Sequence, residues 1–590
     1  MFLAIKLIFS QTIPVERTAA WSQAGLIDSI YYQQNFINIV TDLKADNSGQ
    51  VNAQPIIQQA IDSLTAHNGG TVYLPPGTYR LEEPVQMRSF VKLKGATADS
   101  TFLELYFGNY DYNGITFSGS TISGYNSTEG WFTKGSDSLL LSDSLNINIG
   151  DYIEIIQDNG SWDNQPASWA NHAVGMISKV TDKQNKKIFL NNRFSMDLDS
   201  SLNPRLRIIQ PIKNAALECL HIERKTGNSN NTGHNINMSF AWNCRVVGIE
   251  SHKSAGAHIS VYRSAHNSFF GNYLHHSFAY DGGGTRGYGI MFTDHACYNR
   301  AENNVFKQLR HALMTKAGAN TNVIGYNYSL DVYRSEIPHN ASGDISLHGH
   351  YSFANLFEGN IVQNLVIDHY WGPSGPYNTF FRNRTELYGF IMTTANTGET
   401  SIQNIVGNEI TMNSTFPPQY IISGTDHFEF GNNINGLNTP SNTQTLTDSS
   451  LYLKDAAPFW NNNLKWPAIG YPNNLNDYDN PAKLRYSSGK QPAICYCRKT
   501  EKAHNSISED KNKTTRISIY PNPAKSHIYL KLPENKSTVK IFSFNGKLVR
   551  EITTTKKVTN ININSLPAGI YIMKTTSMTN YSKAKKFIKL

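Results

Sequence analysis

The chain predicts an all-β protein: a parallel β-helix with an N-terminal capping helix, followed by a small C-terminal antiparallel β-sandwich. Three observations carry this. A motif of the form Asn-x-apolar-x-Gly/Asn-Asn recurs through the middle, as in Asn267-Ser-Phe-Phe-Gly-Asn272, Asn322-Val-Ile-Gly-Tyr-Asn327, Asn355-Leu-Phe-Glu-Gly-Asn360 and Asn378-Thr-Phe-Phe-Arg-Asn383. One stripe of apolar residues at helical spacing precedes the first strand. The last 75 residues alternate polar and apolar between tight turns.

The repeat sets the coil. Its final Asn falls at 272, 304, 327, 360, 383, 408 and 432, giving intervals of 32, 23, 33, 23, 25 and 24 residues. A period in the twenties with Asn or Gly at the corners suits stacked coils, because both residues tolerate left-handed backbone angles and stacked amides bond from coil to coil. The two long intervals read as loops of about eight to ten extra residues, emerging on the face that binds.

The N-terminal stripe is Ile56, Ile57, Ala60, Ile61 and Leu64, followed by Gly69-Gly-Thr-Val-Tyr-Leu-Pro-Pro-Gly-Thr-Tyr79. A helix placed here closes the open end of the solenoid. Residues 1–20 begin with an apolar stretch that reads as the remainder of an export signal, or as a short buried strand. The expected β-helix covers 21–497, with a β-rich insertion at about 105–210 whose Trp131, Trp162 and Trp169 serve a local core or stack on sugars. Residues 498–515 are polar and charged without apolar period and read as a linker. Residues 516–590 form the separate sandwich.

Charge excludes one class of partner. The chain of 590 residues carries a formal +8, but residues 498–590 hold 19 Lys and Arg against 5 Asp and Glu, leaving 34 against 40 in residues 1–497. A mildly acidic body does not suit nucleic acid. No window is apolar for long enough to span a membrane as a helix. Five cysteines are an odd number. Cys219 and Cys244 lie 25 residues apart, which suits either a pair on adjacent coils or two buried thiols. Cys495-Tyr-Cys497 has no second ligand pair and is a weak zinc signal.

The helix and the Gly-Gly-Thr-Val strand resemble the start of the pectate lyase and rhamnogalacturonase superfamily, which implies a right-handed parallel β-helix over roughly residues 38–470. Tyr520-Pro-Asn-Pro523, Asn545-Gly-Lys547 and Leu566-Pro-Ala-Gly-Ile-Tyr571 occur in order and resemble the C-terminal sorting domain of the type IX secretion system of Bacteroidetes. That resemblance implies recognition by the secretion machinery and a protein that is secreted or attached to the cell surface.

Aligning the strands before each Asn unit puts Val261, Met291, Met314, Leu347, Tyr370 and Met392 in an inward column, and Tyr262, Phe292, Thr315, His348, Trp371 and Thr393 in an outward one. Eleven of the 18 histidines fall between residues 252 and 369. Outward aromatics, imidazoles and cations along successive coils suit an extracellular polysaccharide.

A glycoside hydrolase needs two opposed carboxylic acids, for which Asp281, Asp294, Asp344, Glu358 and Asp368 are available. A lyase needs a base, a group that neutralises a uronate carboxylate and an acid. Met314-Thr-Lys316 with Ser346-Leu-His348 is similar to paired coils of the β-helical alginate lyase and chondroitinase B family, whose catalytic Lys and Arg fall on consecutive coils. The resemblance implies Lys316 as base, with His348 at the Arg position as acid or its partner. Arg263, Asp294, His350 and Trp371 are expected to grip substrate. No metal ligand is assigned; calcium, used in that family, is the cofactor left open, and no matching acidic trio is found. A non-catalytic glycan binder is the remaining alternative.

Overall fold

The computed structural model describes residues 12–28, 32–130, 132–142, 146–228, 230–394, 398–411, 419–443, 446–461, 463–470, 475–495, 518–531, 537–543, 547–556, 558–577 and 582–590. Trp131, Cys497 and the stretch expected as a linker lie outside these residues. The chain divides into two compact units, Met1–Cys497 and Arg498–Leu590.

The first unit is a parallel β-helix. One face is a twelve-stranded parallel sheet that runs in chain order from Phe36–Asn38 through Ser268–Phe270 and Val323–Gly325 to Phe428–Phe430. The other faces are strands of the same coils, from two residues to the nine of Arg384–Met392. Helix Gln54–Ala66 buries Ile57, Ala60, Ile61 and Leu64 against the first coils and so covers the apolar end.

Two asparagine ladders explain the repeat. Asn272 Nδ2 donates to Asn304 Oδ1 at 2.9 Å, and the same bond continues to Asn327, Asn360, Asn383, Asn408 and Asn432. A parallel ladder joins Asn267, Asn299, Asn322, Asn355 and Asn378. Each Oδ1 also accepts the backbone N–H of the preceding rung, as Asn327 does from Asn304 at 2.9 Å. Buried amides are thereby satisfied on both sides. The residue before each rung has a left-handed φ, from Gly271 at 61° to Gly431 at 62°. Glycine or asparagine takes this conformation without strain at Gly271, Asn303, Gly359, Gly407 and Gly431, whereas Tyr326 and Arg382 adopt it at φ 55° and 53°.

The insertion is an antiparallel sheet of seven strands between Ser120 and Gln210, in which Asn126–Glu129 pairs both with Ser138–Leu141 and with Arg205–Gln210, closing the sheet on itself. Its core packs onto Trp242, Ala265, Cys297 and Phe353 of the coils. Of the stretch read as an export remnant, residues 1–11 lie outside the described residues. Residues 12–20 continue into a segment fastened along the coils, with Arg17 Nε on Asn404 Oδ1 at 2.8 Å and Trp21 Nε1 on Ala354 O at 2.7 Å.

Cys219 does not pair with Cys244. It is bonded to Cys495, 276 positions away, while Cys244 and Cys297 are buried free thiols. Cys244 lies in the apolar core, while Ile494 N bonds to Gly271 O at 2.7 Å and brings the closing segment along the coils to Cys219.

The second unit has a three-stranded and a four-stranded antiparallel sheet around a core that includes Ile528, Leu530, Val539, Ile541, Ile561, Tyr571 and Phe587. Among the described residues no helix is long and apolar enough to cross a membrane.

Candidate active site

The site is built on six parallel strands: Ala257–Tyr262, Tyr288–Thr293, His311–Thr315, Ile345–His348, Ile361–Asp368 and Arg384–Met392. Their register corrects the expected columns. Val261 pairs with Phe292, Phe292 with Thr315, Thr315 with Leu347, Leu347 with Ile367 and Ile367 with Met392. Phe292 and Thr315 therefore face inward. Met291 and Met314 instead pack in an outer cluster with Ala257 and Tyr288. Tyr370, placed inward by the sequence, is 69% exposed beyond its strand. A one-residue slip exchanges the two faces of a strand, and the loops of unequal length introduce that slip.

Lys316 follows Thr315, the partner of Leu347, and so stands at the level of His348, which pairs with Asp368. The three residues form an outward row on consecutive coils, about 4.8 Å apart per coil. They line a cleft of about 610 Å³ with Tyr288, Arg310, Trp371 and Trp169. Trp169 comes from the insertion and Gly282–Thr285 from the first long interval. The second long interval buttresses that loop, with Gly282 N donating to Glu336 Oε1 at 2.8 Å.

His348 Nδ1 lies 2.7 Å from Asp368 Oδ2, off the axis of a well-aligned hydrogen bond. Burial opposes the charge of Asp368, yet the His348 contact and the N–H of Tyr370 hold its pKa at about 2. Lys316 Nζ sits 4.9 Å from the centre of the Trp169 ring. Burial lowers its pKa, and the charge of Asp294 offsets only part of this. Burial raises the Tyr288 hydroxyl, with Arg310 acting against the rise; Arg310 Nη1 is 3.5 Å from that hydroxyl.

Lys316, His348 and Trp371 thus come together, whereas the other expected residues do not line the cleft. Arg263 lies 3.8 Å from Asp294 and 3.4 Å from the buried Glu154, inside an ion network that fastens the insertion to the coils. There, burial would raise Glu154, but the bond from His295 and the charges of His295, Arg263 and Arg207 hold it at about 2. His350 is fully buried, its Nε2 donating to Gln165 O at 2.9 Å, and its ring packs edge-on to Trp169 at 4.6 Å. Trp169, one of the tryptophans expected either in a local core or against sugars, lines the cleft, and Arg310 and Tyr288 join it without having been expected there. Tyr288 and Arg310 could have been found by aligning coils from strand starts, whereas Trp169 has no spacing relation to the coils. Calcium takes six to eight oxygen ligands. Among the described residues lining the cleft, Asp368 is the one carboxylate, and it is engaged by His348, so the donors do not fit that ion.

Residues 36–193 match the family described as rhamnogalacturonase A/epimerase, pectate lyase-like, and residues 518–590 match the secretion system C-terminal sorting domain. Mannuronan C5-epimerase AlgE6 of Azotobacter vinelandii is 31% identical over 118 residues, which cover 16% of this chain and 14% of that protein. Similar solved structures include the tailspike gp61 of Pseudomonas phage phi297, at 11% identity over 72% of this chain and 76% of that one with a TM-score of 0.45. The A-module of the Azotobacter vinelandii mannuronan C-5 epimerase AlgE4 is another, at 14% identity over 67% and 95% with a TM-score of 0.33. The chain therefore joins a pectate lyase-like parallel β-helix to a type IX secretion sorting domain, and the protein is secreted or attached to the cell surface.

Proposed function

We propose that the cleft removes the proton beside the carboxylate of a uronate-containing polysaccharide and completes a β-elimination. The observation that carries this reading is a lysine held below its ordinary pKa in an open cleft that also contains Arg310 and the His348–Asp368 pair. The neutral Lys316 amine acts as base. Arg310 pairs with the uronate carboxylate, which makes the neighbouring C–H more acidic. His348, oriented by Asp368, delivers a proton to the leaving oxygen, with the Tyr288 hydroxyl as a second donor. Trp371 and Trp169 pack against sugar rings. Arg263, Asp294 and His350 act behind this surface, holding the insertion and its tryptophan in place.

Hydrolysis by paired acids is less well served, because a lone carboxylate with a pKa of about 2 is not a proton donor near neutrality. C5-epimerisation is the second reading. It begins with the same proton abstraction, and the match to the mannuronan epimerase favours it. Incubation with a panel of uronic polysaccharides separates the reactions. Elimination yields new chain ends that absorb in the ultraviolet. Epimerisation alters the uronate composition without cleavage and incorporates deuterium from D2O. New reducing ends with neither signal would overturn both in favour of hydrolysis, and binding without turnover would leave a glycan-binding protein.

A further inference from the structure

On another face of the solenoid, the strands His221–Arg224, Glu250–Ser254 and Tyr273–Ser277 stack in parallel. Register pairs Glu223 with His252 and His252 with His275. Neighbours on a strand ordinarily point to opposite faces. His276, however, has a φ of 61°, and its Nδ1 lies 2.8 Å from Nδ1 of His275. The rings of His252 and His275 are stacked with centres 4.7 Å apart. One nitrogen from each of His252, His275 and His276 falls within 4.8 Å of the other two.

We infer that His252, His275 and His276 form a binding site for a first-row divalent transition ion such as Zn2+, with a fourth position open to water. Two nitrogens bound to a tetrahedral ion at about 2.0–2.1 Å stand roughly 3.3 Å apart, so His275 and His276 need to separate by about half an ångström, and the His252 ring needs to turn out of its stack with His275 for its in-plane lone pair to reach the ion. The partners behind the rings match what such ions require. His275 Nε2 faces Glu250 Oε1 at 3.1 Å, leaving Nδ1, turned to His276, as its unprotonated nitrogen, and His252 Nδ1 faces Glu223 Oε1 at 3.3 Å, leaving Nε2. A carboxylate accepting the second ring N–H fixes the tautomer and raises the basicity of the ligating nitrogen. Gln491 holds Glu250 in turn, donating to Oε2 at 2.6 Å. Lys253 and Lys307 oppose a cation here, while Glu223, Glu250 and Asp331 favour it. Three nitrogen donors select zinc, nickel, cobalt or copper over calcium or magnesium.

The test uses the full chain, stripped with EDTA, desalted and titrated with Co2+ while its visible absorption is followed, with Zn2+ then added to displace it. The expected result is a saturable spectrum that Zn2+ removes and that is lost in both His252→Ala and His276→Ala. Glu250→Gln, which preserves shape, is expected to weaken binding by about 10–100-fold. His339→Ala, on an exposed loop, is expected to bind as the parent does. Absence of a saturable spectrum in the parent would overturn the proposal. So would equal affinity in Glu250→Gln and the two alanine variants, which would place the ion elsewhere.

Discussion

His348 Nδ1 and Asp368 Oδ2 lie 2.7 Å apart, and the two residues are also register partners on neighbouring strands, so the geometry of the pair is fixed by the backbone ladder. Asp368→Asn removes the charge that orients and stabilises a protonated His348. Turnover on the responsive polymer is expected to fall roughly 100-fold or more, with KM little changed. The same variant tests stability. The pKa of Asp368 is depressed to about 2, so its contribution is complete above the ordinary carboxylate value and is lost as pH falls towards about 2. Acid titration of unfolding should show the parent losing roughly 2 kcal/mol more than the variant between about pH 5 and pH 1.

Lys316→Met is expected to reduce turnover by about 10²–10⁴-fold while polysaccharide binding, measured by calorimetry, survives. With the neutral amine as the proposed base and burial lowering its pKa, the rising limb of kcat/KM should lie below the ordinary lysine value of about 10.4. Lys316→Arg keeps a cation and should not restore activity.

Trp169→Ala uncovers the Lys316 ammonium and removes a ring from the cleft. Two effects are expected together: the rising limb moves to higher pH, and KM increases by about two- to tenfold, corresponding to a lost contact of about 0.5–1.5 kcal/mol. A change in KM without a shifted pH profile would show that Trp169 does not control the lysine.

Asn327 sits in mid-ladder, accepting from the N–H and Nδ2 of Asn304 and donating to Asn360. Asn327→Ala leaves buried donors unpaired and is expected to cost about 2–5 kcal/mol in urea unfolding. Asn327→Asp keeps the acceptors but loses two donations and buries a charge, so it should be no milder.

The ladders explain which parts of this molecule could be read in advance. Asn272, Asn304, Asn327, Asn360, Asn383, Asn408 and Asn432 are visible in the sequence because each must satisfy the same buried neighbours in the same way. Lys316 and His348 are legible for a related reason: they stand at the ends of strands whose position is set by those corners, Lys316 just after one and His348 as the last residue of another. The columns between were misassigned by one residue at Met291 and Met314, since apolar side chains pack on either face of a strand when an outer cluster covers one of them. Trp169 and Cys495 reach the coils through three-dimensional packing of distant segments, which leaves no periodic trace. Tyr288 and His311 begin paired strands, with Arg310 just before the second, so their signal lies in the strand starts rather than in the asparagine corners.

The two coils with long intervals between asparagine rungs carry the Gly282–Thr285 and Glu336 loops, while their rungs stay in line with the rest. A mutation or exchange in those loops therefore reshapes the rim against which a polymer rests without touching the load carried by the amide columns. Selectivity for one sugar chain over another is free to diverge on this scaffold while its capacity to fold is left intact.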